Sequence, residues 1–152
     1  MYTYHSRSRR ILDYLSRSCP SASAQICGTE DFPTVCGTLM LYQTQAGVFV
    51  VVSVGGIPAE IGQGNVLGMH IHDPATGKHY NPGNTAHPHH AGDLPPLLSN
   101  GGEAYLSVLT NRFRLADVVG RTVVIHSGPD DFRSQPAGNP GTKIACGIIR
   151  AT

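Results

Sequence analysis

The chain has 152 residues, of which 40% are hydrophobic and 14% charged, with 18 glycines, 11 prolines and a net charge of +1. This length suits one domain with one core, and the frequent glycine and proline between short apolar runs favour an all-β sandwich or barrel. The small net charge indicates no nucleic-acid partner, and without a run of 18 apolar residues we expect no segment that spans a membrane.

The first 21 residues differ from the rest. Ile11, Leu12 and Leu15 have helical spacing and are surrounded by arginines, which predicts a short N-terminal helix or a tail over residues 1–21 and a domain over residues 22–152. No apolar stretch follows the first arginines, so the segment as written is not a secretory signal. The compartment stays open: cytoplasmic if the chain is complete, secreted if a signal peptide was removed.

Strand-like runs follow in chain order. The predicted strands are SAQIC, TVCGTLMLYQT, VFVVVSV, VLGMHIH, EAYLSVLTNRF, RTVVIH and TKIACGIIR, and LADVVG is a turn or a short helical piece. Most are rich in β-branched or aromatic residues. We expect about eight antiparallel strands and two long loops, over residues 73–102 and 130–141. Long loops in compact domains are usually functional.

The stretch from His70 to Asp93 holds six of the eight histidines, and His126 ends the TVVIH run. Packing does not require so many imidazoles, whereas imidazole is the commonest neutral metal ligand. Side chains alternate along a strand, so His70 and His72 point the same way and can bind one metal together. The stretch predicts a metal centre with two metals.

The segments GMHIH, GKHYNP, HAGDLPPL, VGRTVVIHSGPDD and GNPGTKIACGII resemble those of the copper/zinc superoxide dismutases, in the same order, over roughly residues 22–152. The resemblance implies an eight-stranded antiparallel Greek-key β-sandwich or barrel with long metal-binding loops. It implies copper and zinc as cofactors. It also implies an enzyme that converts superoxide to dioxygen and hydrogen peroxide, with superoxide as the partner.

Position by position, the resemblance implies a role for each site residue. The implied copper ligands are His70, His72, His79 and His126, and the implied zinc ligands are His79, His87, His90 and Asp93. His79 would bridge the two metals and exchange a proton during the reaction. Asp130 would accept hydrogen bonds from His70 and His87. Lys143 stands where the family has an arginine that guides the anion, and His89 is interpreted as solvent-facing.

The chemistry of the residues agrees with these roles. Four imidazoles with one open side suit Cu(II), and three imidazoles with one carboxylate suit tetrahedral Zn(II). A carboxylate behind the ligands fixes their tautomers. Lysine keeps the positive charge of arginine but lacks its planar fork, so we expect steering of the anion to persist and its docking to be looser.

The link DPATGK between His72 and His79 departs from the family, which has a longer subloop there with a cysteine. Cys146 matches the family's last-strand cysteine, but its usual partner is missing. The thiol is therefore free or paired elsewhere: Cys27–Cys146 is one candidate and Cys27–Cys36 is its rival. In the family's common eukaryotic form the subloop also contributes to the dimer contact, so a homodimer, if one forms, would use a non-standard interface.

Two other functions compete with dismutation. One is a non-catalytic domain of the same fold that binds zinc for stability or transfers copper. The other is a zinc hydrolase, which would need a zinc-bound water beside a general base. No glutamate that is free to act as this base lies near the histidines in the sequence, which disfavours the hydrolase.

Overall fold

The structure is a computed structural model that describes residues 17–61 and 65–152. The helix or tail predicted for residues 1–21 lies, up to residue 16, outside the described residues. A turn at Arg17 and Ser18 leads to the first strand, which starts at Ala22, where the domain is predicted to begin.

Ten antiparallel strands and one short helix form the described part of the chain. They are β1 (Ala22–Gly28), β2 (Cys36–Thr44), β3 (Gly47–Gly55), β4 (Val66–Leu67), β5 (Met69–His72), β6 (Leu97–Asn100), β7 (Glu103–Thr110), α1 (Leu115–Val118), β8 (Thr122–His126), β9 (Lys143–Ile148) and β10 (Arg150–Ala151). The all-β prediction is confirmed: eight strands have at least four residues, and β4 and β10 have two each. Within the described ranges, no helix is long and apolar enough to cross a membrane.

The strands lie in the order β4-β6-β7-β3-β2-β1-β9-β8-β5, with β10 beside β1. The two ends of this order, β4 and β5, are separated in sequence only by Gly68. The sheet therefore curls until its ends are neighbours and is nearly closed into a barrel. Neighbours such as β3 with β7 and β1 with β9 are distant in sequence, as Greek-key connections require.

The loop predicted over residues 73–102 is too long, because its last part forms β6 and pairs with β7. Leu97 and Ser99 are buried, whereas Leu98 is exposed, which is the alternation of a strand with one face in the core. Four residues directly after two prolines give this period too little length to be recognised in the sequence. The loop ends at residue 96.

The barrel interior is filled by aliphatic side chains from alternate strand positions. On β3 the inward-facing residues are Val48, Val50, Val52 and Val54, all at most 2% exposed. Burying each such side chain contributes roughly 1.5–3 kcal/mol. The same alternation on β5 and β8 puts Met69, Ile71 and Ile125 in the core and leaves the histidines of these strands on the outer face.

Candidate metal centre

Four histidines meet on the outer face of β5 and β8. Their ligand atoms all lie within 4.8 Å of one another, and we call them the four-histidine group: His70, His72, His79 and His126. Because β5 and β8 are paired strands, their register sets the positions of His70, His72 and His126. The loop after β5 folds back over this face through bridges that pair His70 with Asp93 and His72 with His79.

Each strand histidine of this group uses one ring nitrogen for a hydrogen bond. His70 Nε2 donates to Asp130 Oδ2 at 2.7 Å, His72 Nδ1 to the Gly77 carbonyl at 3.0 Å and His126 Nδ1 to the Gly141 carbonyl at 3.3 Å. A neutral imidazole carries one N–H, so the nitrogen that donates to oxygen leaves a lone pair on the other.

Those other nitrogens are buried and have no hydrogen-bond partner among the residues that the structure describes. They are His70 Nδ1, His72 Nε2, His79 Nε2 and His126 Nε2. An unsatisfied buried polar atom costs about 1–3 kcal/mol, and four converging lone pairs also repel one another. A bound cation removes both penalties, so these residues fit a metal with nitrogen ligands.

A second set of side chains lies beside the first. It consists of His79, His87, His90 and Asp93, whose ligand atoms are also within 4.8 Å of one another, and we call it the three-histidine–aspartate group. The three Nδ1 atoms lie 2.7, 3.1 and 3.3 Å from the oxygens of Asp93. Tetrahedral ligands with bonds of about 2.0 Å are roughly 3.3 Å apart, so this spacing suits zinc.

His87 shows why this second set favours a cation. Its Nε2 donates to Asp130 Oδ1 at 2.8 Å, so in the neutral ring Nδ1 carries a lone pair. That Nδ1 lies 3.1 Å from Asp93 Oδ2, yet within the described part of the chain it makes no hydrogen bond in this position. The Nδ1 lone pair thus faces a carboxylate, an arrangement that is favourable only with a cation between the two atoms.

Two residues join the groups. His79 belongs to both, with Nδ1 directed to Asp93 and Nε2 to the four-histidine group. Asp130 accepts hydrogen bonds from His70 and His87, one on each carboxylate oxygen, and the backbone N–H of Phe132 also donates to it. Although burial alone would raise the pKa of Asp130, these hydrogen bonds lower it and keep the carboxylate charged.

Burial favours the neutral form of four of the histidines. Burial, with the nearby imidazoles, lowers the pKa of His70 to about 3 and that of His72 to about 4, and burial also lowers the pKa of His90 and His126. Burial would raise the pKa of Asp93, but the hydrogen bond from His79 and the adjacent imidazoles lower it to about 2. These four imidazoles and the Asp93 carboxylate are therefore in the forms that bind metals.

Three residues that hold the second set in place were not identified from the sequence. Gln135 bonds to both backbone groups of His87, at 3.0 and 2.8 Å, and Arg112 donates to the carbonyls of Pro88 and His90. Gly138 has φ +74°, and a Cβ there would lie 2.0 Å from Asp130 Oδ1. The partners of Gln135 and Arg112 are distant in sequence, so no local pattern marks them.

Arg121 was also missed, and it holds the short link DPATGK. Its Nη1 donates to Asp73 Oδ2 at 2.5 Å, its Nε donates to the Asp117 carbonyl at 2.7 Å, and its guanidinium lies 3.8 Å from the centre of the Tyr80 ring. One side chain thus connects α1 with the first residue of the link and with Tyr80, two residues beyond its last residue. These contacts fix the link without a disulfide.

A cavity of about 700 Å³ opens onto the four-histidine group and is lined by His72, His79 and His126. Its cationic lining residues are Lys78 and Arg121. Lys143 is not among the lining residues, although it is the strand partner of His126 and its charge contributes, after burial, to the lowered pKa of His72 and His126. His89 is exposed and belongs to neither group.

Comparison with known proteins identifies the family. Residues 35–149 match the family model described as copper/zinc superoxide dismutase. The chain belongs to the copper/zinc superoxide dismutase family. Copper and zinc are its cofactors, and the two groups are the places, among the residues that the structure describes, that could hold them.

Relatives of this superoxide dismutase come from several bacteria. It is 35% identical to superoxide dismutase [Cu-Zn] 2 of Aquifex aeolicus, over 85% of this chain and 86% of that protein, and 31% identical to superoxide dismutase [Cu-Zn] of Deinococcus radiodurans, over 77% and 78%. The crystal structure of a double mutant of a SOD-like protein from Bacillus subtilis superposes with a TM-score of 0.70 at 25% identity, covering 85% of this chain and 97% of that chain.

Proposed function

We propose that the four-histidine group is the copper site of this superoxide dismutase and that the three-histidine–aspartate group is its zinc site, with His79 shared. The observation that carries the assignment is the set of four buried, unpartnered nitrogens that converge beside the cavity. The protein acts as an oxidoreductase that converts superoxide to dioxygen and hydrogen peroxide. Bound copper supplies a one-electron redox couple for this reaction, and zinc supplies a fixed positive charge.

His79 is the residue that we assign to proton transfer. Its Nδ1 is held by Asp93 at 2.7 Å, while its Nε2 is unpartnered and the residue lines the cavity. When Nε2 does not bind a metal, it can take up a proton. It can then donate that proton to superoxide as superoxide is reduced to hydrogen peroxide. The fixed Nδ1 side keeps the ring oriented so that the proton is carried at one position.

Lys143 is proposed to attract superoxide, which is an anion. It begins β9 directly opposite His126, and its side chain is exposed. Lys78 and Arg121 line the cavity and add to the same positive field. Cations around an opening raise the arrival rate of an anion in a way that salt weakens.

Metal content together with a dismutation assay tests the assignment. After loading of the full chain with copper and zinc, we expect one of each metal per chain and catalysis of superoxide loss. His90→Ala should lose zinc, whereas the matched change at the exposed neighbour, His89→Ala, should keep both metals. Full occupancy by zinc alone, without dismutation, would instead support the non-catalytic metal-binding domain.

The hydrolase has less support. In the described ranges, no glutamate lines the cavity, and the one aspartate that does, Asp73, is paired with Arg121. The general base that a zinc-bound water needs is therefore missing from the residues around this opening.

The homodimer with a non-standard interface remains a proposal. It rests on the short link between His72 and His79, which removes the subloop that the resemblance associates with the dimer contact. Sedimentation equilibrium of the metal-loaded chain tests it, and a monomer at all concentrations would contradict it.

A further inference from the structure

Three cysteines lie side by side on the outer face of the barrel. Cys27 on β1 is the direct strand partner of Cys36 on β2 and also of Cys146 on β9. Ile26 and Ala145 are buried, so the alternation of side chains directs the cysteines next to them outward. We call Cys36, Cys27 and Cys146 the thiol row, and all its members are free thiols in this structure.

We propose that the thiol row is a site of reversible oxidation by hydrogen peroxide, in which Cys27 forms a disulfide with Cys36 and Cys146 is the third thiol that can displace Cys36 by exchange. This goes beyond the metal chemistry of the chain, because it uses other residues and another reaction. Peroxide is the product of dismutation, but the proposal does not depend on the metal assignments.

Backbone hydrogen bonds indicate which pair is closer. The Thr29 N–H donates to the Ile144 carbonyl at 2.9 Å, and alternation along the ladder makes Cys27 and Cys146 a hydrogen-bonded pair. A residue in an antiparallel strand directs its N–H and C=O to the same neighbouring strand, which for Cys27 is β9. Cys27 and Cys36 on β2 are therefore a non-hydrogen-bonded pair.

The two kinds of pair differ in spacing. Cα atoms are about 4.5 Å apart in a non-hydrogen-bonded pair and about 5.5 Å apart in a hydrogen-bonded pair. Disulfides accept Cα separations of roughly 4.4–6.8 Å, so both pairs can be bridged. The side chains are closer in the non-hydrogen-bonded pair, which favours Cys27–Cys36 as the first disulfide.

The same geometry excludes a metal site made of the three thiols. Cys36 and Cys146 lie on strands separated by β1, at two strand spacings or about 9.6 Å. Thiolates bind zinc at about 2.3 Å, so the outer two sulfurs cannot reach one ion together. The thiol row is also not among the metal-binding groups found in the described residues.

Small reagents can reach the thiol row. Cys27 and Cys36 are exposed. On the far side of Cys36, its partner on β3 is Gly55, which has no side chain to cover the thiol. Access is a requirement for oxidation of a cysteine by peroxide.

The oxidation balances without another reagent. Cys27 Sγ attacks one peroxide oxygen, an S–O bond forms, the O–O bond breaks and one water leaves. Cys36 Sγ then attacks Cys27 Sγ, the S–S bond forms, the S–O bond breaks and a second water leaves. The two sulfurs together lose two electrons, and peroxide is reduced to two waters. Exchange with Cys146 moves the disulfide and returns Cys36 to a thiol without net oxidation.

The thiol row continues toward the metal centre. Cys146 pairs with Val124 on β8, and Val124 pairs with His70 on β5. Exchange would therefore replace the covalent link between β1 and β2 by one between β1 and β9. Strand β9 carries Lys143 and is the neighbour of β8, the strand that ends at His126.

Cleavage after glutamate tests the proposal. The only glutamates are Glu30, Glu60 and Glu103, so complete cleavage gives fragments 1–30, 31–60, 61–103 and 104–152. Cys27, Cys36 and Cys146 then lie on three different fragments. The metal-loaded Cys19→Ser full chain is treated with hydrogen peroxide, its remaining thiols are alkylated, and the fragments are analysed by mass spectrometry without reduction.

We expect fragment 1–30 to be linked to fragment 31–60, and a reductant or catalase added beforehand to abolish the link. With Cys36→Ser added, fragment 1–30 should be linked to fragment 104–152 instead. With Cys27→Ser added, no two fragments should be linked. The proposal is overturned if peroxide leaves every thiol open to alkylation, if links persist without Cys27, if Cys36→Ser gives no link, or if the first disulfide joins fragments 1–30 and 104–152. Dismutation activity plays no part in these outcomes, so they are separate from the metal assignments.

Discussion

The two groups of candidate ligands share His79, and Asp130 bonds to a member of each, but they are built from different structures. In the four-histidine group, three of the four members lie on the paired strands β5 and β8. In the three-histidine–aspartate group, all four members come from the loop between β5 and β6. Strand pairing fixes side chains through the barrel itself, whereas a loop needs specific contacts for the same precision.

Those contacts are visible on the loop side. Gln135 and Arg112 bond to the backbone around His87 and His90, and Asp93 accepts a hydrogen bond from the His90 N–H at 3.0 Å. In the four-histidine group, the Nδ1 atoms of His72 and His126 donate to backbone carbonyls instead of side chains. We therefore expect the zinc-side geometry to depend more on side chains outside the site, and more on the metal itself.

The largest effect is expected from removing a strand ligand. His126→Ala should abolish dismutation, because it deletes one of four converging nitrogens and leaves no replacement donor in the group. Zinc should still bind at one per chain, because His126 is not a member of the loop-borne group. The measurements are superoxide loss and metal content. Dismutation that survives in this variant would refute the copper assignment.

Asp130→Asn should affect both sides, since the Asp130 carboxylate contacts His70 of the four-histidine group and His87 of the three-histidine–aspartate group. An amide at this position can satisfy at most one of the two imidazole N–H donors as an acceptor. Loss of such an outer contact typically reduces metal affinity or activity about 10–100-fold. Asp131→Asn is the matched control, because among the described residues the Asp131 carboxylate bonds only to Arg133 and Ser134 in its own turn. Equal effects of the two changes on copper and zinc affinity would contradict the linking role.

The sequence predicts the strand-borne group and the loop-borne group to different extents. On the strands, a period of two and β-branched residues are local signals, so β3 and the HIH pair could be placed from short segments. The assignment of candidate ligands came from the resemblance of five segments to a family. It was not derivable from spacing, because HxH alone also occurs on ordinary surfaces.

Contacts across long sequence separations were out of reach. Gln135 meets His87 and Arg121 meets Asp73 at separations of 48 residues in both cases. Both residues read as ordinary loop or surface side chains until the fold brings them together. The tight packing of Gly138 against Asp130 could not be predicted either, because in the sequence Gly138 looks like any glycine in a turn.

Gln135→Ala tests the dependence of the loop side on such contacts. It removes both bonds to the His87 backbone, and we expect zinc affinity to fall about tenfold while copper affinity changes less. Competition with a chelator gives both affinities. Gln25→Ala is a suitable control, because Gln25 also bonds to a backbone carbonyl but lies on β1 far from the loop in sequence. A greater loss of copper than of zinc would reverse the comparison.

Acid should destabilise the metal-free protein through the strand side. In the folded state the pKa values of His70 and His72 are about 3 and about 4, against 6.5 in an unfolded chain. Between pH 6.5 and 4 the unfolded state therefore binds more protons, and the free energy of unfolding decreases as the pH falls. Thermal unfolding at pH 7.5 and 4.5 should show a lower Tm at pH 4.5. The decrease should be smaller in His72→Gln, and an equal decrease in the variant would exclude His72 as a contributor.

The smallest effect is expected at Lys143, which acts on the approach of superoxide and leaves both ligand groups intact. Lys143→Arg keeps the charge and adds a planar fork that can hold an anion at two points, so the rate should rise a few-fold at low ionic strength. Lys143→Gln should lower the rate. Added salt should make the rates of the unchanged protein and the two variants similar, because screening weakens the steering of the anion. Lys78→Gln is the informative comparison, since Lys78 lines the cavity and Lys143 does not. If only Lys78→Gln slows dismutation, the anion is guided from the loop rather than from β9, and the strand side supplies ligands alone.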